Sequence, residues 1–205
     1  VREWVPVSSS ARGRLARAAV EAFGARPFEE VTVGELAAAA RVTTGALYHH
    51  FGSKLGVYAF VREDVERRLL DRMEGAVAAS LPVGDRTAAV TAALLAGFDF
   101  AVREGFAQLL AAPPPSRPLE PDRLAEPDRL AEPDRLAKPD RLAKPDRLAD
   151  LLSALTAPAS AVLGRVLAAS WRAAVLAVAE GEPPPSARAA LVALEARIPA
   201  WPFAG

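Results

Sequence analysis

Thr32-Val-Gly-Glu-Leu-Ala-Ala-Ala-Ala-Arg-Val-Thr-Thr-Gly-Ala-Leu-Tyr-His-His-Phe-Gly-Ser-Lys54 holds two short helix starts separated by a tight turn. A helix-turn-helix has this layout. One helix braces the unit, and a second presents its N-terminal residues to base edges in the major groove. Thr32 is placed to cap the first helix, and Glu35, three residues on, completes a capping box. Val31 before the cap and Leu36 at the fourth helical position form a hydrophobic staple. The device recurs after the turn, with Thr43 as cap and Val42 and Leu47 as staple. Two staples so close together fix the directions of two helices, as a rigid reading head requires.

Upstream, Ser8 to Ser10 offer caps for a helix whose apolar face is Leu15, Ala18, Ala19, Ala22 and Phe23. Gly24 is expected to end that helix, with Phe28 tucked into a small core beyond it. The second helix is expected over 33–40 and the recognition helix over 44–50. Downstream, Gly52 breaks the chain and Ser53 caps a long helix reaching about Ala79. Its apolar stripe is Tyr58, Val61, Val65, Leu69, Met73 and Val77; Arg62, Glu63, Asp64, Glu66, Arg67 and Arg68 between them read as a solvated face. Asp85 is a cap for a fifth helix bearing Leu94, Leu95, Phe98 and Val102, and a short apolar helix follows over 106–111.

From Pro121 to Asp150 the chain repeats Pro-Asp-Arg-Leu-Ala-Glu/Lys five times, the last copy ending in Asp. A proline every six residues removes a donor and clashes with the preceding turn. In a helix the leucines would step about 240° per repeat, so no apolar stripe forms. The segment reads as a poorly ordered polyampholyte or a chain of single turns. Only the last copy runs on into a helical pattern, with Leu148, Leu151, Leu152 and Leu155 on one side. The upstream copies resemble tandem duplications of that helix's first turns, inserted in a loop where length costs little. After Pro158 an apolar helix over 160–179 carries Val162, Leu163, Val166, Leu167, Trp171, Val175 and Val178. Ser186 is a cap for a last helix with Leu191, Leu194 and Ile198, ended by Pro199.

Abundant Ala with recurring Leu, Val, Glu and Arg favours helix over strand, and the fold class expected is all-α. The chain has no cysteine, so disulfides, thiolate metal sites and a cysteine nucleophile are excluded. Apolar stretches are interrupted by charge or proline, so no membrane partner is expected. Val1 to Ser10 does not read as a signal peptide, and a cytoplasmic location is the expectation. Twenty-five basic residues balance 25 acidic ones. That neutrality neither supports nor excludes nucleic-acid binding, because Arg12, Arg14, Arg17, Arg41 and Lys54 suffice for a local basic patch.

The run from about Leu15 to Leu55 resembles the N-terminal DNA-binding domain of the TetR family of transcriptional regulators. Ala19 to Phe23, Phe28, Val31-Thr32-Val33 and Glu35-Leu36-Ala37 carry the likeness. It continues through Val42-Thr43-Thr44-Gly45-Ala46-Leu47-Tyr48-His49-His50-Phe51 to Ser53-Lys54. The resemblance implies a three-helix DNA-binding domain over 8–52, and over 53–205 a helical domain for effector binding and dimerisation that contains the 121–150 insert. It implies a homodimer joined by its last two helices, a double-stranded DNA operator, and an unidentified small-molecule effector that releases a repressor.

Thr43, Thr44 and Gly45 open the recognition helix, where free N–H groups and hydroxyls suit phosphates and base edges. Thr32 and Arg41 are counted with them as DNA-binding residues. By the resemblance, Tyr48 and His49 touch the DNA backbone and Lys54 a phosphate. The recognition helix has no Arg, Lys, Asn or Gln, so readout rests on threonines, backbone, Tyr48, Arg41 and DNA shape. Met73, Phe98, Phe106, Leu109 and Trp171 are candidates for an apolar ligand pocket, or else ordinary core. No catalytic constellation, cofactor motif or metal-ligand spacing is present, so no enzyme, no cofactor and no metal are expected. Two alternatives stay open: a helical protein-interaction module, and a DNA-binding dimer with no effector.

Overall fold

A computed structural model describes residues 10–80, 86–111, 146–156 and 161–195. All regular structure among them is helical: α1 Ala11–Ala25, α2 Val33–Ala39, α3 Thr44–Phe51, α4 Lys54–Ser80, α5 Arg86–Arg103, α6 Ala107–Ala111, α7 Arg147–Thr156, α8 Ala161–Ala179 and α9 Pro184–Glu195, with a 3-10 turn at Phe28–Glu30. The Asp85 cap, the first four repeat copies, Ile198 and Pro199 lie outside the described residues.

Local chemistry explains most helix starts. Ser10 caps α1 by accepting from the Gly13 N–H at 3.0 Å. Asp146, from the last repeat copy, accepts from Ala149 N–H at 3.1 Å and so caps α7. The expected stop at Gly24 is corrected: α1 runs through it to Ala25, and Arg26 leaves the helix at φ −141°, ψ 154°. Pro27 causes this, because its ring drives the preceding residue out of the helical region. Gly24 has a different task. A Cβ there would lie 2.5 Å from the Gly105 carbonyl oxygen, so glycine is what lets α1 lie against the α5–α6 turn. Ser186 is also corrected, since α9 begins two residues earlier at Pro184 and Ser186 lies in its first turn. Proline at a helix start sacrifices only an N–H that would lack a partner anyway.

α1, α2 and α3 pack together with the start of α4, and α4 then runs on along α5; α7 pairs with α8, and α9 lies against α5 and α8. The predicted α4 stripe is buried throughout, from Tyr58 to Val77. Arg62 overturns the solvated-face reading. It is only 4% exposed, and its guanidinium donates to the Leu109 carbonyl and to the Tyr58 hydroxyl. Glu66 departs from it too, being half-buried, whereas Glu63 and Arg67 are exposed and Asp64 bridges to Arg67 and Arg68 as expected.

The α8 stripe splits. Leu167, Trp171 and Val175 are buried, whereas Val162 and Val166 are 57% and 52% exposed. Leu176 on α8 and Val192 on α9 join them on the surface. Val162–Ala179 is long and apolar enough to cross a bilayer, yet it packs here against α6, α7 and α9.

Candidate nucleic-acid interface

The reading head is built as its sequence predicts. Thr32 Oγ1 accepts from Glu35 N–H at 3.2 Å, and Glu35 Oε2 accepts from Thr32 N–H at 3.4 Å, completing the capping box. Val31 and Leu36 are fully buried in one core, as a staple requires. Thr43 Oγ1 accepts from Ala46 N–H at 3.2 Å. Leu47 is buried, with Val42 packed against the same core.

The turn between α2 and α3 is a Schellman motif. Val42 N–H donates to Ala37 O and Arg41 N–H to Ala38 O, each at 3.0 Å. The position that glycine usually fills is Arg41, held at φ 54° with its side chain exposed. After α3, Gly52 turns the chain at φ 75°, and Ser53 Oγ caps α4 by accepting from Gly56 N–H at 2.9 Å. A Cβ on Gly56 would sit 1.9 Å from the Phe51 carbonyl oxygen, so the α3–α4 elbow depends on glycine there.

Thr43, Thr44, Gly45, Tyr48 and His49 are all exposed. Residues 44, 45, 48 and 49 follow the spacing of a single helix face. Little protrudes from its N-terminal half: a Cβ on Gly45 would touch only Thr43 Oγ1, at 3.7 Å. The fold therefore has no steric need for glycine at 45. Thr32 and Arg41 are exposed on the same small domain, and His50 is half-buried with its ring 5.0 Å from that of His49.

Lys54 differs from a free phosphate hook. Its ammonium donates to the carbonyls of Phe28 (3.1 Å) and Val31 (3.0 Å) and lies 4.2 Å from the Phe28 ring centroid. Two of its three donors thus strap α4 to the 3-10 turn. The basic patch is likewise partly structural. Arg14 Nε donates to Ala40 O at 2.9 Å, and Arg12 stacks over Phe60 at 4.8 Å and Phe51 at 5.7 Å. Arg17 and Arg41 are exposed. Sequence reasoning missed the Lys54 strap because both acceptors lie more than 20 residues away.

Among the described residues no group of histidines and acids is placed to hold a metal. Met73, Phe98, Phe106, Leu109 and Trp171 are all buried members of the core. The Trp171 indole N–H donates to Leu94 O at 3.1 Å. A shallow groove of about 470 Å³ opens instead between α8 and α9, floored by Ala174, Ala187, Leu191 and Leu194, and includes none of those five.

Residues 15–59 match the family described as Bacterial regulatory proteins, tetR family. No curated protein matches the chain. Among solved structures, a transcriptional regulator from Rhodococcus sp. Rha1 is similar at TM-score 0.63 and 23% identity, covering 92% of this chain and 96% of that one. A TetR-family transcriptional regulator from Pectobacterium atrosepticum is similar at TM-score 0.56 and 22% identity, with 91% of each chain covered. NalD, the secondary repressor of the MexAB-OprM multidrug efflux pump in Pseudomonas aeruginosa, is similar at 0.52 and 18%, covering 97% and 100%. At these identities the structures speak for the fold.

Proposed function

We propose that this TetR-family transcriptional regulator works as a homodimeric repressor, gripping an operator duplex with its two α3 helices and letting go when a small molecule binds its C-terminal helices. One observation carries the DNA reading. α3 offers an exposed face of hydroxyl, glycine, tyrosine and histidine groups on a doubly capped frame, and the fold has no steric need for the glycine at 45. Thr43, Thr44 and Gly45 approach bases and phosphates, Tyr48 and His49 the DNA backbone, with Thr32 and Arg41 beside them. Lys54 adds its third N–H to a phosphate.

Dimerisation is assigned to the apolar flank of α8 and α9, where the large side chains of Val162, Val166, Leu176 and Val192 are exposed in the described structure. Exposed aliphatic side chains grouped on adjacent helices are the usual mark of an oligomer face. The repressor direction is supported by the likeness to NalD. Release by a ligand would be population shift, the ligand favouring the form whose heads are splayed. A second reading, a DNA-binding dimer with no effector, is favoured by the complete burial of the five pocket candidates.

The test is to select genomic fragments bound by the full-length protein and titrate the best fragment with fractionated small-molecule extract. Release by a fraction supports ligand control. Tight binding that no fraction disturbs favours the second reading, and no selected fragment defeats both.

A further inference from the structure

Arg12, in the first turn of α1, holds its guanidinium 4.8 Å from the Phe60 ring centroid and 5.7 Å from that of Phe51. The two rings meet at 5.4 Å and form one shelf, built from the last residue of α3 and the second turn of α4. Phe60 keeps 38% of its surface open there. Stacking on rings engages the flat faces of a guanidinium and leaves the N–H groups around its edge for other partners. Among the described residues none takes them up: Arg12 is exposed, with no hydrogen bond or ion pair. By contrast, Arg14 donates to the Ala40 carbonyl and Arg26 pairs with Glu35, so those forks are engaged within the head.

The shelf is also continuous with the reading face. From His49 the rings follow one another, His50 at 5.0 Å, Phe51 a further 6.5 Å on and Phe60 a further 5.4 Å. Duplex DNA carries a phosphate charge about every 1.7 Å of its axis. A cation only three ring contacts from His49 is therefore near enough to meet backbone beyond that reached by α3.

We propose that Arg12 is a further operator-binding residue, its fork gripping a backbone phosphate outside the bases read by α3, and that Phe51 and Phe60 are the positioning residues that present it. The assignment rests on the operator-binding reading and extends its footprint beyond the recognition helix. A free arginine gives up rotamer freedom to hold a phosphate, and one already laid on a shelf gives up less. Its planar fork suits two phosphate oxygens at once. A phosphate contact carries no base information, so Arg12 adds affinity and register rather than sequence choice.

The test uses the full-length protein and its selected operator. Ethylation interference maps the phosphates that matter, and salt titration counts them. Variants are Arg12→Met, which keeps a stem over the shelf and deletes the charge; Phe60→Leu, which removes the shelf; and Phe60→Tyr, which keeps it. In Arg12→Met binding is expected to weaken roughly tenfold or more, with the salt slope lower by about 0.9 per subunit and base preference unchanged. One interfering phosphate per half-site, outside the bases that α3 selects, should disappear. Phe60→Leu should fade that same phosphate and no other, whereas Phe60→Tyr should match wild type. A merely structural role would weaken every contact together and single out no phosphate. Affinity, slope and interference unchanged in Arg12→Met overturn the phosphate assignment, and an intact phosphate in Phe60→Leu overturns the shelf. If the wild type binds no duplex, the operator reading falls and this assignment falls with it.

Discussion

Arg41 sits in the left-handed region, which costs a residue with a side chain about 1–2 kcal/mol relative to glycine. Its amide closes the turn as glycine's would, so nothing in the fold asks for arginine. A long exposed cation beside the start of α3 is therefore read as serving the DNA. Arg41→Gly is expected to stabilise the protein by about 1 kcal/mol in a denaturant titration. It should also weaken operator binding and lower the salt slope by about one unit. Gly45 repeats the logic with the opposite residue. Gly45→Ala has open space to enter and should stabilise α3 by roughly 0.5–1 kcal/mol while reducing operator affinity. A gain in stability without loss of binding, at either position, would remove that residue from the interface. At this scale the sequence is most readable where the chemistry is local. The Thr32, Glu35 and Thr43 caps need only their own next turn, and all are present. The roles of Gly24 and Arg62, and the strap made by Lys54, are not legible locally because their partners, Gly105, Leu109, Phe28 and Val31, are brought to them by folding.

Elements are aimed by their junctions, and the α3–α4 elbow is the tightest of these. Gly56→Ala would drive a methyl into the Phe51 carbonyl, so it is expected to destabilise by about 1–3 kcal/mol, opposite in sign to Gly45→Ala. Farther along α4, Glu66 feels the charges of Asp146, Arg147 and Arg172, and Arg172 of α8 holds Asp146 at the start of α7. Burial pushes the Glu66 carboxyl above its ordinary range; Arg62 opposes this, Asp146 adds to it, and Arg147 and Arg172 oppose it. Burial pushes Asp146 the same way. It still lies below its ordinary value, because Arg172 and the Ala149 N–H hydrogen-bond it and the charges of Arg172 and Arg62 favour the carboxylate. The two act oppositely on stability. Glu66 binds its proton more tightly in the folded state, so stability declines as pH rises from 4.5 through its raised value. Asp146 contributes fully above 3.8, and its contribution is lost as pH falls through its depressed folded value. Urea titrations across pH should therefore show Glu66→Gln as stable as wild type or more so at pH 7, with the decline flattened. Asp146→Asn should cost about 1–2 kcal/mol at pH 7, a modest figure because the side chain is 35% exposed, and the cost should vanish in acid. A neutral-pH loss in Glu66→Gln larger than that in Asp146→Asn would reverse this assignment. Helix periodicity revealed these elements but not these interactions, since the residues involved are distant in sequence.

For the whole molecule, the all-α fold was legible from composition and period, and the family match at 15–59 agrees with the stretch that carried the resemblance. Periodicity could not say which half of the α8 stripe stays outside. It records that a residue is apolar, not whether its neighbour belongs to the same chain. Val166→Glu tests the outer half. It should leave helix content and the intramolecular core unchanged, convert a dimer to a monomer in sedimentation, and reduce operator affinity roughly 100-fold or more by loss of bivalent binding. A dimer that survives Val166→Glu would move the interface elsewhere. The central claim is that two copies read one duplex with α3, and selection from a pool of random duplexes tests it most directly. Enrichment of a pseudo-palindrome is expected, its half-sites separated by whole turns of DNA, roughly 34–36 Å each. Thr44→Ala should shift the preferred bases within the half-sites while leaving their spacing unchanged. An unenriched pool, or a site of one half only, would contradict it.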